Sequence, residues 1–166
     1  MLAAAGLLAA CAPALDWRDV RLEGSGVLLL FPCKPDSQTR TLSLAGAPVR
    51  LSLHACSAAG STWALAVADL GDPARVGPAL AELRSAAQRN LAAPDGHALE
   101  LKVPGSTPHP GSGRLQFEGR MPDGRAMHEQ VAVFVKGTQV YQAVVLGTSL
   151  DAEAASTFFD SIRFPP

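Results

Sequence analysis

Charge is scarce in this chain, and neither sign is in excess. Only 17% of the 166 residues are Asp, Glu, Lys or Arg, 14 of them basic and 15 acidic. Nucleic-acid binding needs a stripe of Lys and Arg that neutralises phosphates, and the few basic residues here are scattered. No nucleic-acid partner is expected. Aromatic residues are as sparse. Trp17, Trp63 and Tyr141 fall singly along the chain and read as core or edge packing, not as a sugar platform. No apolar run approaches the roughly 20 residues that a membrane-spanning helix needs.

Catalytic patterns are missing too. The four histidines, His54, His97, His109 and His128, include no pair at i, i+4, and no two cysteines have CxxC spacing. Neither a helical histidine site nor a zinc-ribbon site can be written, and no metal or cofactor is implied. The serines lack a GxSxG elbow. The nearest imitation, Gly111-Ser112-Gly113, lies in a Pro-rich loop with no strand-to-helix turn around it. Gly24-Ser25-Gly26 lacks the Lys and the following helix of a phosphate loop. Asp69, Asp72 and Glu82 gather near the start of a predicted helix, where capping and solvation account for them. The expectation is a protein that is not an enzyme.

What is present begins at the N-terminus. Residues 2–10 (LAAAGLLAA) are apolar, and nine residues suit the hydrophobic region of a signal peptide rather than a bilayer span. The run ends in Leu8-Ala9-Ala10-Cys11, which resembles the bacterial lipobox. That resemblance implies a lipid on the Cys11 thiol, cleavage before Cys11 and acylation of the new terminus. Several acyl chains anchor far more firmly than one. Met1-Leu2 carries no Lys or Arg, so the start lies upstream or the signal is a weak one. The competing reading is an Ala/Leu-rich first helix, although a helix so short and uncapped is marginal. Ala12, in place of Asp, points in the enterobacterial pattern to the outer membrane. The division is then 1–10 signal peptide, 11–16 lipidated tether and 17–166 a single domain, a length that can bury a proper core.

Within that domain, hydrophobic periodicity places the elements. Residues 128–147 carry two apolar runs around Lys136-Gly137-Thr138. Val131, Val133 and Val135 oppose Ala132 and Phe134, and Tyr141, Ala143 and Val145 oppose Val140, Val144 and Leu146. Strands apolar on both faces are covered on both, so this hairpin is read as the centre of a sheet. Residues 27–31 form a buried strand, residues 17–22 an edge strand and residues 97–103 a further strand. Leu42 and Leu44, then Val49, Leu51 and Leu53, alternate with polar residues, giving a hairpin towards a sheet edge. Pairing Leu44 with Val49 puts its apolar residues on one face. In the strand after Gly60-Ser61, Trp63, Leu65 and Val67 oppose Ala64, Ala66 and Ala68, which leaves room for a close-packed element or an apolar ligand.

Asp72 and Pro73 start a long helix whose stripe is Val76, Leu80, Leu83, Ala87 and Leu91. Pro78 can delay its regular part. Thr148 or Ser149 is the expected cap of a last helix, with Asp151 and Glu153 near its positive end. Hairpins dominate, so the fold class is α+β: a mostly antiparallel sheet packed with two helices.

This order resembles the PsbP-like fold, an α/β/α sandwich found in photosystem extrinsic proteins and small bacterial lipoproteins. It rests on element order over roughly residues 27–164 and on the closing pattern from Tyr141-Gln142 to Phe164. The chain is also similar to uncharacterised proteobacterial envelope proteins with a start like Phe31-Pro32-Cys33-Lys34-Pro35. The resemblance implies a binding or accessory role, not catalysis.

With Cys11 lipidated, Cys33 and Cys56 remain as an even pair in an oxidising periplasm. In the register above, Cys56 lies opposite Ser37, and Pro32 and Pro35 can turn Cys33 back towards it. A Cys33–Cys56 disulfide is expected, against two buried free thiols. The whole reads as a bacterial envelope lipoprotein, held at the outer membrane and facing the periplasm, that binds an envelope protein partner or serves as an accessory module. The alternative is a periplasmic carrier of an apolar small molecule.

Overall fold

The structure is a computed structural model and describes residues 14–166. The expected signal peptide and Cys11 lie outside the described residues. Nine strands and two helices follow in order: β1 (Arg18–Arg21), β2 (Leu28–Phe31), β3 (Asp36–Leu44), β4 (Ala47–Ala58), β5 (Ser61–Asp69), α1 (Val76–Asn90), β6 (His97–Leu99), β7 (Gly113–Arg120), β8 (Ala126–Lys136), β9 (Gln139–Gly147) and α2 (Ala152–Asp160). A 3-10 turn, Pro73–Arg75, leads into α1.

Seven strands form one antiparallel sheet in the order β3-β4-β5-β9-β8-β7-β6. The β8–β9 hairpin sits at its centre, as its double apolar pattern predicts. Only Gly137 and Thr138 separate the paired Lys136 and Gln139, and Gly137 takes a φ of 60°. The two faces sort by residue parity. Val131, Val133, Val135 and Val140 share a buried cluster with Val76, Ala79 and Leu80 of α1. Phe134, Tyr141, Ala143 and Val145 share the other with Phe158 and Phe159 of α2. The fold is α+β, with the sheet between two apolar layers. Ala66 and Ala68 are buried in the α1-side cluster, and α1 itself approaches β8 and β9 most closely.

The two expected strands before residue 32 are present, and three other local expectations are corrected. The strands at residues 17–22 and 27–31 pair with each other, Arg18 opposite Phe31, in a separate two-stranded ribbon. Val27, Leu29 and Phe31 of that ribbon are buried in the α2-side cluster. In the β3–β4 hairpin Leu44 faces Ala47 and Leu42 faces Val49. Ala45 and Gly46 alone make the turn, both at positive φ, the two-residue geometry whose twist matches the strands. The shift is two residues, so every side chain keeps its face. β6 ends at Leu99, because β7 offers no partner before Gly113 and the Pro/Gly loop between them cannot continue a ladder. Leu101 and Val103 pack on the α2-side cluster instead. The cap of α2 is Asp151, whose carboxylate accepts from Ala154 N at 2.9 Å, rather than Thr148 or Ser149.

At the start of the long helix, Asp72 caps the 3-10 turn and α1 proper begins at Val76, with Pro78 inside its first turn. Asp69 accepts from Gly71 N and from Thr138 Oγ1, and Glu82 accepts from Ala45 N. The bond from Thr138, and after it that from Gly71, holds the Asp69 carboxyl below its ordinary pKa. All three acids thus secure turns.

Candidate functional site

The β1–β2 ribbon and α2 cover the middle of one sheet face and leave the β3–β5 flank of that face open. Here the polar alternation of the hairpin has its structural result. Ser37, Thr39, Arg50, Ser52 and His54 form the floor of a groove of about 590 Å³, and residues 20–25 form its wall. The floor hydroxyls pair across strands, Thr39 Oγ1 lying 3.2 Å from Ser52 Oγ. His54 is partly buried there, which lowers its imidazole pKa below the ordinary value. Charges of both signs line the groove: Arg21 and Arg50 against Glu23 and Asp69.

The ribbon that carries this wall is fixed at two points. Cys33, just past β2, is bonded to Cys56 on β4, with Cα atoms 6.0 Å apart. The expected disulfide is therefore present. The observed register, Asp36 opposite Ala55, brings Cys56 two residues nearer to Cys33 than the expected pairing. At the other end, the Tyr141 hydroxyl donates to Ser25 O at 2.8 Å, and Gln139 Nε2 donates to Gly24 O at 3.1 Å. Burial raises the Tyr141 phenol pKa, with the Asp69 charge adding to the effect. Tyr141 thus docks the ribbon's turn onto the central strand.

Beside the groove, β3 is an edge strand. Nine residues long, it is exposed along most of its length and among the described residues pairs only with β4. A free edge of this kind can accept a further strand. The opposite edge, β6, has only three residues.

The chain enters the domain close to the disulfide. Asp16 N donates to Pro32 O at 2.8 Å, and Leu15 packs against the α2-side cluster. Trp17 stands edge-on to Trp63 at 5.9 Å. Trp63 and Tyr141 are buried, and all three rings pack as structural side chains.

The remaining sequence candidates disperse. Among the described residues no group of three His, Cys, Asp or Glu is placed to hold a metal ion. His109 Nδ1 accepts from Gly111 N at 2.9 Å, tying its own loop. His128 faces Glu118 at 3.5 Å on the surface, and His97 is exposed at the start of β6. The Ser112 hydroxyl is buried with no hydrogen-bond partner among the described residues. No helix among the described residues is long and apolar enough to cross a membrane.

Sequence reasoning missed a second polar constellation, Arg114, Gln116 and Gln130, at the opposite flank of the same face. The available signal was a run of polar residues, Arg114, Gln116 and Glu118, on one face of the strand beside the doubly apolar β8. No protein-family model matches the chain, and no curated protein matches it.

Proposed function

We propose that this protein is a non-enzymatic lipoprotein of the bacterial envelope, anchored through Cys11 and binding a partner protein along its β3 edge and the adjoining groove. The Cys33–Cys56 disulfide carries the reading. Disulfides persist in oxidising compartments, which agrees with export under the Leu8-Ala9-Ala10-Cys11 lipobox. The same bond ties the ribbon that carries the groove wall to β4. A preorganised surface loses little freedom on binding. The free nine-residue edge supplies main-chain groups for strand addition, and the hydroxyls and mixed charges of the groove supply selectivity.

The anchor also bears on orientation. Four residues, from Cys11 to Leu15, reach at most about 14 Å when extended. A lipid on Cys11 would hold the Leu15–Trp17 end of the domain close to the bilayer, in an outer membrane facing the periplasm.

Labelled palmitate supplied to bacteria expressing the chain tests the anchor. The label enters the wild type and is lost in Cys11→Ala, which moves to the soluble fraction. Equal labelling of both, or none of either, overturns it. A photo-crosslinker at Thr41 on β3 tests the edge. It captures one discrete envelope protein, and a crosslinker at exposed Arg89 on α1 does not. The same product from both positions would rule out edge binding.

A further inference from the structure

We infer that the protein has a second binding site, at the flank opposite the groove, that takes a small organic carboxylate. Arg114 of β7 is its centre. The residue is only 7% exposed, yet donation from Nη2 to Gln130 Oε1 at 2.5 Å is its one hydrogen bond among the described residues. Its Nε is buried with no partner. The nearest carboxylate, that of Asp160, stands off at 3.8 Å from Nη1, beyond hydrogen-bond reach, on a side chain that is 70% exposed. The guanidinium carbon lies 4.0 Å above the Phe159 ring, and this stacking fixes the plane of the fork. A buried cation so poorly paired is costly unless something compensates it.

The neighbours sharpen the chemistry. A guanidinium has donors only, so Gln130 must turn its oxygen to Arg114 and its amide nitrogen away. That nitrogen donates to Gln116 Oε1 at 3.0 Å. Gln116 is thereby forced to keep its own NH₂ for a further acceptor, and it has none among the described residues. The chain Arg114–Gln130–Gln116 therefore ends in a donor that opens on the cavity beside a fixed positive charge. Arg114 Nε is the donor left buried without a partner, and an anion in the cavity answers the charge better than the water that can reach Gln116. The space is there: Arg114, Gln116 and Gln130 line a cavity of about 710 Å³ between the outer face of α2 and the segment after β6. That size suits a small ligand. Leu99, Pro104 and Ala152 give the same cavity aliphatic surface. A carboxylate carrying a short aliphatic chain satisfies both parts, its head on Arg114 and Gln116 and its chain along those three residues.

This site does not depend on the lipid anchor or the β3 edge. Calorimetric titration of the full chain with octanoate tests it, with octanol as the uncharged counterpart of equal chain length. Octanoate binds and octanol does not. Arg114→Lys, which keeps the charge but loses the fork, weakens octanoate about tenfold. Should that buried substitution unfold the protein, the exposed Asp160→Asn still decides. It removes the competing carboxylate and tightens octanoate several-fold. Equal binding of octanoate and octanol, no binding of octanoate, or an unchanged affinity in Asp160→Asn would each overturn the site.

Discussion

Glu129 is the only acidic side chain buried among the described residues. It lies on the α1 side of β8, where its strand partners are Phe117 and Leu146, and one carboxylate oxygen has no hydrogen-bond partner. Burial pushes its pKa from 4.5 up to about 7. Between those values the folded protein holds a proton that the unfolded chain has released. Stability therefore falls as pH rises through that window and levels off above it. At about 1.4 kcal/mol per unit, the loss amounts to roughly 3 kcal/mol. Glu129→Gln removes this dependence, so the variant gains on the wild type between pH 5 and pH 8. Urea unfolding of both at the two pH values checks this, and an unchanged difference would show that the carboxyl is solvated. Ala59 has the opposite sort of fault. Its φ of 51° lies in the left-handed region, followed by Gly60 at 74°. An L-residue there costs about 1–2 kcal/mol, less for Asn. Ala59→Asn should raise the stability by about 1 kcal/mol and the melting temperature with it. A lower melting temperature would mean that the turn is not of this type.

The elements were legible where alternation is strong and illegible where turn chemistry is unusual. The parity of Val131 to Val135 and of Val140 to Leu146 sets both cores, and α1 and α2 lie one on each side. The β3–β4 register was missed by two residues because its turn is Ala45-Gly46, and Ala seldom announces a positive φ. The ribbon of β1 and β2 was read as two strands but not as a unit apart. Its attachment depends on Tyr141 reaching Ser25, a contact across 116 positions that no local pattern reveals. The Arg114 network was missed for the same reason, since Gln130 and Gln116 become neighbours only once β7 and β8 are in register. At this scale Tyr141→Phe tests the hydroxyl. It keeps the ring stacked on Phe134 at 5.0 Å and removes the hydroxyl's contacts with Ser25 O and Gln139 Oε1. A cost of about 1 kcal/mol is expected. Amide exchange should rise selectively in the turn at residues 22–27. A uniform rise, or none, would show that the hydroxyl does not hold the ribbon.

For the whole molecule, the layer of β1, β2 and α2 leaves an opening at each flank of one sheet face. The groove at β3–β5 is polar and carries both charges, and its wall belongs to a ribbon tied to β4 by a disulfide. The cavity at β6–β7 offers hydrogen-bond donors and aliphatic surface. The disulfide closes a loop of 23 residues, for which chain entropy gives about 3 kcal/mol of stabilisation. Both that bond and the proposed anchor presuppose export, and one measurement addresses them together. It is the intact mass of the native protein extracted from bacterial membranes, before and after reduction. The account predicts a lipidated chain beginning at Cys11 that gains two hydrogens on reduction. An unmodified chain that retains Met1, with no change in mass on reduction, would contradict it.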